Sequence, residues 1–185
     1  MARVHLTSLG CPKNRVDAEH MLGLAQSSGH ELVSNPQDAD ALVINTCAFI
    51  NEAKEESIDA ILALAKLKEQ SGNKKLIVTG CLAQRYASQL EQEIPEVDHF
   101  LGTSDYSLIT EALGAALSPH QTRTRNDLVT LGKKPEKNLV SQDLSYIERF
   151  DLPRINTSGS FSAYLRISEG CDNACAFCII PKLRG

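Results

Sequence analysis

No apolar run in the chain approaches the roughly 20 residues of a membrane-spanning helix, so an anchor of that kind is excluded. The opening segment, Met1-Ala-Arg-Val-His-Leu-Thr-Ser-Leu-Gly-Cys11, lacks the apolar core of a signal peptide, and the sequence reads as cytoplasmic. Tryptophan is absent and aromatics make up only 5% of the residues. Length is short as well: 185 residues suit one globular domain plus a remainder, but not the roughly 250 of a complete (β/α)8 barrel enzyme. Basic charge is scarce where it would matter for nucleic acid. Residues 1–120 hold 9 Lys and Arg against 16 Asp and Glu, whereas residues 121–185 hold 10 against 7. An acidic first part is a poor nucleic-acid binder by electrostatics alone. Its acids read either as solvated helix faces or as a face that greets a basic partner protein.

What the chain does have is cysteine, six in all. A cytosolic thiol pool keeps pairs reduced, so metal ligation or redox chemistry is expected before disulfides. Cys11, Cys47 and Cys81 are spaced 36 and 34 residues apart, whereas Cys171, Cys175 and Cys178 fall within eight residues. Two separate sites are therefore expected.

The first 120 residues alternate β-branched runs with helical periodicity, the pattern of βαβ units and a parallel sheet. Strands are expected at 5–9, 31–33, 41–45, 75–79 and 99–101. Between them lie helical stripes. Ala18, Met21, Leu22 and Ala25 form the first, which stops near Gly29. The longest helix spans 51–71, with Ile58, Ile61, Leu62 and Ala65 facing inward and Gly72 ending it. Ala83, Tyr86, Ala87, Leu90 and Ile94 make a third stripe, and Leu108, Ile109, Ala112 and Ala116 a last one. This is an α/β fold, an open parallel sheet with flanking helices of the Rossmann or flavodoxin kind, over residues 1–118. Residues 119–160, with Pro119, Pro135, Pro153, Gly132 and Gly159, read as an interdomain linker with short strands at most. Phe161-Ser-Ala-Tyr-Leu-Arg-Ile167 alternates again and is expected to open a new unit, 161–185, as a strand leading into the cysteine cluster.

Ser8-Leu-Gly-Cys11, Ile44-Asn-Thr-Cys47 and Val78-Thr-Gly-Cys81 each place a cysteine after a strand and before a helix. In an open parallel sheet the carboxyl ends of the strands line one edge, where ligands bind. Three thiols far apart in sequence are thereby brought side by side, near helix N-termini that would lower their pKa. One such cysteine would read as a buried small apolar residue; three at equivalent positions point to a ligand set. Three thiolates suit an iron–sulfur cluster with one open iron; a catalytic zinc with an open position is the chemical alternative.

The second group, Gly170-Cys171-Asp-Asn-Ala-Cys175-Ala-Phe-Cys178, has the spacing C-x3-C-x2-C. Structural zinc modules prefer two C-x2-C pairs, and ferredoxins need a fourth cysteine. Three local thiols can wrap three corners of a cubane and leave the fourth iron open; zinc or an unmetallated loop is the alternative. Gly170 lets the backbone turn tightly, and Phe177 reads as packing beside the cluster. His5, His20, His30, His99 and His120 show no ligand spacing and read as surface or packing residues. Lys182 and Arg184 read as solvent-facing helix residues, with substrate contact as the alternative.

This spacing resembles the radical S-adenosylmethionine enzymes. Together with the three post-strand cysteines, over nearly the whole chain, it is similar to their methylthiotransferase family. The resemblance implies a 4Fe-4S cluster on Cys171, Cys175 and Cys178 with S-adenosylmethionine chelated at the open iron, where reductive cleavage yields a 5′-deoxyadenosyl radical; it also implies a contact with the adenine as the alternative role of Phe177. It implies a second 4Fe-4S cluster on Cys11, Cys47 and Cys81, associated with the inserted sulfur. One branch of the family methylthiolates a tRNA adenosine, another the β-carbon of an aspartate in small-subunit ribosomal protein twelve. The stretches Ser8-Leu-Gly-Cys-Pro-Lys-Asn14, Asn45-Thr-Cys-Ala-Phe-Ile50, Gly80-Cys-Leu-Ala-Gln-Arg-Tyr86 and Ile167-Ser-Glu-Gly-Cys171 resemble the ribosomal-protein branch. That branch implies a ribosomal protein as partner and a flavodoxin-type electron donor, with tRNA and membranes disfavoured. A non-catalytic iron–sulfur protein is the competing class. Since the family's barrel has several more strands, the expectation is a truncated radical S-adenosylmethionine barrel and a chain inactive by itself.

Overall fold

Short β-branched runs bounded by Gly, Asn and Asp set the strands, and amphipathic stretches between them supply the crossovers that parallel pairing requires. A computed structural model describes residues 1–114, 137–141, 144 and 152–185. Its elements are β1 (Arg3–Ser8), α1 (Pro12–Ser27), β2 (Glu31–Leu32), β3 (Ala41–Thr46), α2 (Asn51–Ser71), β4 (Lys75–Gly80), α3 (Cys81–Glu93), β5 (His99–Leu101), α4 (Ile109–Leu113), β6 (Asn138–Leu139) and α5 (Ile180–Arg184). The strands form one sheet in the order β2-β1-β3-β4-β5-β6, every pair parallel. Its first five strands follow the flavodoxin order, whose ligand site lies at the carboxyl edge.

All six residues of β3 are buried, as a central parallel strand covered on both faces should be. Leu42 and Ile44 pack with Ile61, Leu76, Val78, Leu82 and Phe100 on one face. Val43 packs with Val4, Met21, Ile77, Leu101 and Ile109 on the other. Register then delivers the cysteines. β3 pairs with β4 from Ala41↔Lys75 to Thr46↔Gly80, so Cys47 and Cys81 leave the sheet at the same level. On the other side Ser8 pairs with Asn45, three residues before Cys11.

The structure departs from the sequence reading in several places. α1 starts at Pro12, ahead of the apolar stripe that begins at Ala18, since proline is suited to the first helical position. On α2, Ile61 and Ala65 face inward as expected, but Ile58 and Leu62 are 36% and 49% exposed. Ser57 and Leu64 take the inward slots instead. α4 is only five residues long and follows a 3-10 turn at Tyr106–Leu108; Ala116 lies outside the described residues.

Much of 119–160 also lies outside them. Of the rest, β6 extends the sheet, with Asn138 opposite Phe100 and Leu139 opposite Leu101. Residues 152–157 lie as a strap across α1. A Cβ at Gly23 would collide with the Pro153 backbone, and the fully buried Glu19 carboxylate takes Arg154 Nε at 2.8 Å and the Thr157 N–H at 2.7 Å. The segment 161–167, expected to be a strand, has no ladder partner among the described residues. Its alternation is real, but a strand needs a neighbour, and Phe161, Leu165 and Ile167 are exposed.

Candidate metal centre

Gly10 and Gly80 precede Cys11 and Cys81 with φ of +86° and +93°. These left-handed turns swing the chain off the sheet edge, and only glycine fits: a Cβ on Gly10 would lie 2.7 Å from the Cys47 Cβ. Cys47 is held differently. Ser57 Oγ accepts its N–H at 3.0 Å and donates to its carbonyl at 3.0 Å, so α2 clamps the loop through a buried hydroxyl. This clamp explains the polar residue in an inward slot of α2. Asn14, fully buried, ties the loops together. Its side-chain amide donates to the carbonyls of Leu9 at 3.0 Å and Thr46 at 2.9 Å, and its main-chain carbonyl accepts from Asn45 Nδ2 at 2.7 Å.

Cys11, Cys47 and Cys81 line a single cavity of about 600 Å³, walled also by Pro12, Phe49, Ile50 and, from α5, Ile180, Leu183 and Arg184. Cys11 is exposed, whereas Cys47 and Cys81 are buried. Among the described residues no three His, Cys, Asp or Glu side chains are gathered at the spacing of a single metal ion. The expectation that helix N-termini lower the thiol pKa is corrected at Cys81, the first residue of α3. Burial pushes it up to about 11, because desolvating a thiolate outweighs the opposing pull of Arg184.

The second triplet lies in a loop closed at its base. Cys171 N–H donates to the Gly185 carbonyl at 2.9 Å, and Cys178 N–H to that of Cys175 at 3.1 Å. Gly170, with φ +67°, approaches Gly185 so closely that a Cβ would overlap its carbonyl. Cys171 and Cys175 are exposed and Cys178 is half-buried. Cys175 and Cys178 line a cavity of about 650 Å³ with Arg85, Phe177, Phe49 and Ile50; Cys171 lies outside its wall. Phe49 and Ile50 thus belong to both cavities and form the partition between them.

Sequence reasoning missed what joins the two triplets. Arg184 is buried, not solvent-facing. Its Nη2 lies 2.8 Å from Asp17 and 2.6 Å from Asn14 Oδ1, and its Nη1 3.1 Å from Glu169. Arg166 bridges the same two carboxylates. Burial works against the charge of Arg184, but Asp17, Cys81 and Glu169 more than offset it, so the guanidinium stays protonated. Lys13 Nζ adds a hydrogen bond of 2.8 Å to the Ser168 carbonyl. A signal was present: Asn14 and Asp17 fall on the same stripe of α1 as Met21 and Leu24, polar residues at buried helical positions. Lys182 is exposed as expected. His20, His30 and His99 are buried packing residues, His20 stacking on Tyr106 with ring centroids 5.9 Å apart; His120 is outside the described residues.

A family model described as "Uncharacterized protein family UPF0004" matches residues 3–102, more than half of the chain. The chain belongs to this family. In this UPF0004 member the matched span covers β1 to β5 and all three post-strand cysteines. Among curated proteins, the chain is 51% identical over 182 residues to the "Ribosomal protein uS12 methylthiotransferase RimO" of Myxococcus xanthus, covering 98% of this chain and 34% of that protein. It is 51% identical to the protein of the same name from Anaeromyxobacter sp. (strain Fw109-5), covering 99% and 35%. With the one from Clostridioides difficile it is 44% identical over 185 residues, covering 100% and 38%. The chain therefore spans little more than a third of the length of these relatives. No helix among the described residues is long and apolar enough to cross a membrane.

Proposed function

We propose that this chain is the N-terminal part of a radical S-adenosylmethionine methylthiotransferase acting on the β-carbon of an aspartate in ribosomal protein uS12. One observation carries the reading: Cys11, Cys47 and Cys81 line one cavity, Cys175 and Cys178 of the second triplet line another, and the two cavities share Phe49 and Ile50. The relatives named uS12 methylthiotransferase support the choice of substrate, and the acidic balance of residues 1–120 suits a basic ribosomal protein.

In this reading Cys11, Cys47 and Cys81 hold one 4Fe-4S cluster, and Cys171, Cys175 and Cys178 hold another with S-adenosylmethionine at its open iron. The donor sets fit: three thiols each, without a fourth, leave one iron of each cluster free for an exogenous ligand. Bound there, the clusters and S-adenosylmethionine would supply one-electron sulfonium cleavage and the sulfur for transfer. The chain's own residues do the positioning. Ser57 fixes the backbone of Cys47, Asn14 fixes the loops after β1 and β3, and the amide of Cys171 closes the second loop on Gly185. Phe49 and Ile50, both partly exposed, put apolar surface on the wall that the two cavities share. Residues 1–118 would form the N-terminal unit, 119–160 the connection and 161–185 the start of the S-adenosylmethionine unit. The setting would be the cytoplasm, with a flavodoxin-type electron donor and no membrane.

The test offers full-length enzyme both uS12 and unmodified tRNA, with mass spectrometry for a methylthio increment. Modified uS12 is expected; modification of tRNA alone would reassign the substrate. Anaerobic reconstitution of the chain should give about eight irons. Stoichiometric zinc with no iron uptake overturns the cluster reading.

A further inference from the structure

Arg184 belongs to the segment that carries the second triplet, yet it ends in the wall of the first. It closes α5, six residues beyond Cys178, and lines the cavity of Cys11, Cys47 and Cys81. Its side chain is 3% exposed. Its Nη2 donates to Asn14 Oδ1 at 2.6 Å, the atom that also faces the Cys81 thiol at 3.8 Å. Asp17 and Glu169 hold the guanidinium but do not line the cavity. Of the buried ion network, Arg184 is thus the member that reaches the cavity wall of the three thiols. Lys13 also lines the cavity, but its side chain is 37% exposed and is drawn to Ser168 and Glu169.

Three thiolates gathered at one cavity repel one another, and the two buried ones, Cys47 and Cys81, are costly to desolvate unless a fixed cation stands beside them. A guanidinium suits this task because it does not deprotonate in proteins. A cation beside an iron–sulfur cluster also favours the reduced, more negative state, and so raises the reduction potential.

We propose that Arg184 is the charge-compensating residue of the Cys11, Cys47 and Cys81 centre, making its cluster easier to bind and to reduce, and tying that centre to the segment that bears Cys171–Cys178. The proposal rests on the reading that the first triplet holds an iron–sulfur cluster.

The test uses the whole chain with Cys171→Ala, Cys175→Ala and Cys178→Ala, so that one centre is measured by itself. After anaerobic reconstitution, the iron content and the midpoint potential are read, the latter by redox titration followed by electron paramagnetic resonance. Arg184→Gln is expected to shift the midpoint to more negative values, and Arg184→Lys to leave it near that of the parent. An unchanged midpoint in Arg184→Gln overturns the proposal, and so does an equal shift in both variants. Should Arg184→Gln fail to fold by circular dichroism, the parent labelled with 15N-arginine decides. Pulsed spectra of its reduced cluster should show a 15N coupling that Arg184→Lys abolishes, and no arginine coupling would overturn the proposal. A parent that takes up no iron, or only zinc, instead sinks the cluster assignment beneath it.

Discussion

The sheet-edge triplet and the loop triplet carry the same three thiols and are held in opposite ways. Cys47 and Cys81 are buried extensions of adjacent, in-register strands, and the loops around them are tied by Asn14, Asn45 and Ser57. Cys171 and Cys175 are exposed, and their loop is closed by one backbone hydrogen bond to Gly185. The first site is thus part of the core and pre-organised by it. The second is a loop docked onto α1 by the ion network of Arg166, Arg184, Asp17 and Glu169. Rigidity in the one comes from the sheet; in the other it depends on residues that lie elsewhere in the chain.

The sharpest way to break this comparison is to delete each triplet in turn. Substituting all three of Cys171, Cys175 and Cys178 by Ala should lower bound iron from about eight to about four per chain and leave the melting temperature nearly unchanged. Total loss of iron would show that the sites are not independent. Next in size is the anchor between them. Asp17→Ala leaves Arg166 and Arg184 buried with one carboxylate fewer and should cost about 3–5 kcal/mol in urea unfolding, since an uncompensated buried charge is expensive. A loss below 1 kcal/mol would show that the network is ornamental to the docking.

Ser57→Ala removes the hydroxyl that serves both the N–H and the carbonyl of Cys47, for an expected loss of about 1–3 kcal/mol with lower iron occupancy at the first centre only. Gly23→Ala should push the strap at 152–157 off α1 for a similar cost, about 1–3 kcal/mol, read as new proteolytic cleavage there. The smallest effect is of pH. Burial, opposed by the Pro153 carbonyl, lowers the pKa of His20, so the folded state binds its proton less readily than the unfolded chain. Its contribution is complete above the unfolded histidine value of about 6.5 and declines as pH falls through that value. Glu19 acts in the same direction at lower pH. Burial pushes its pKa up, but the hydrogen bonds from Thr157 and Arg154 hold it below the usual carboxylate value, so its contribution is lost as pH falls through the carboxylate range. The melting temperature should drop modestly from pH 7.5 to 5.5, and His20→Gln should flatten that drop.

The strands and the post-strand cysteines were legible because parallel pairing leaves a local mark, short β-branched runs spaced by helical stripes. α2 was located correctly but its inward face only partly so, because Ser57 occupies a core slot to serve Cys47, and hydrophobicity cannot announce that. Arg184 was misread for a related reason. A five-residue helix is too short for periodicity to show which face is buried, and its carboxylate partner Asp17 is 167 residues away. Residues 161–167 alternate like a strand, yet pairing depends on a neighbour that alternation does not supply.

By itself the sequence determined that there are two sets of three thiols and that the first set shares one edge of a parallel sheet, because strand order and local periodicity follow from residue pattern. Only the tertiary structure decided that the cavity of the first set shares Phe49 and Ile50 with that of Cys175 and Cys178, and that an arginine of one segment lines the cavity of the other. Contacts of that kind are made by burial and ion pairing between residues remote in sequence, where the driving force is the removal of charge from water rather than any repeat along the chain.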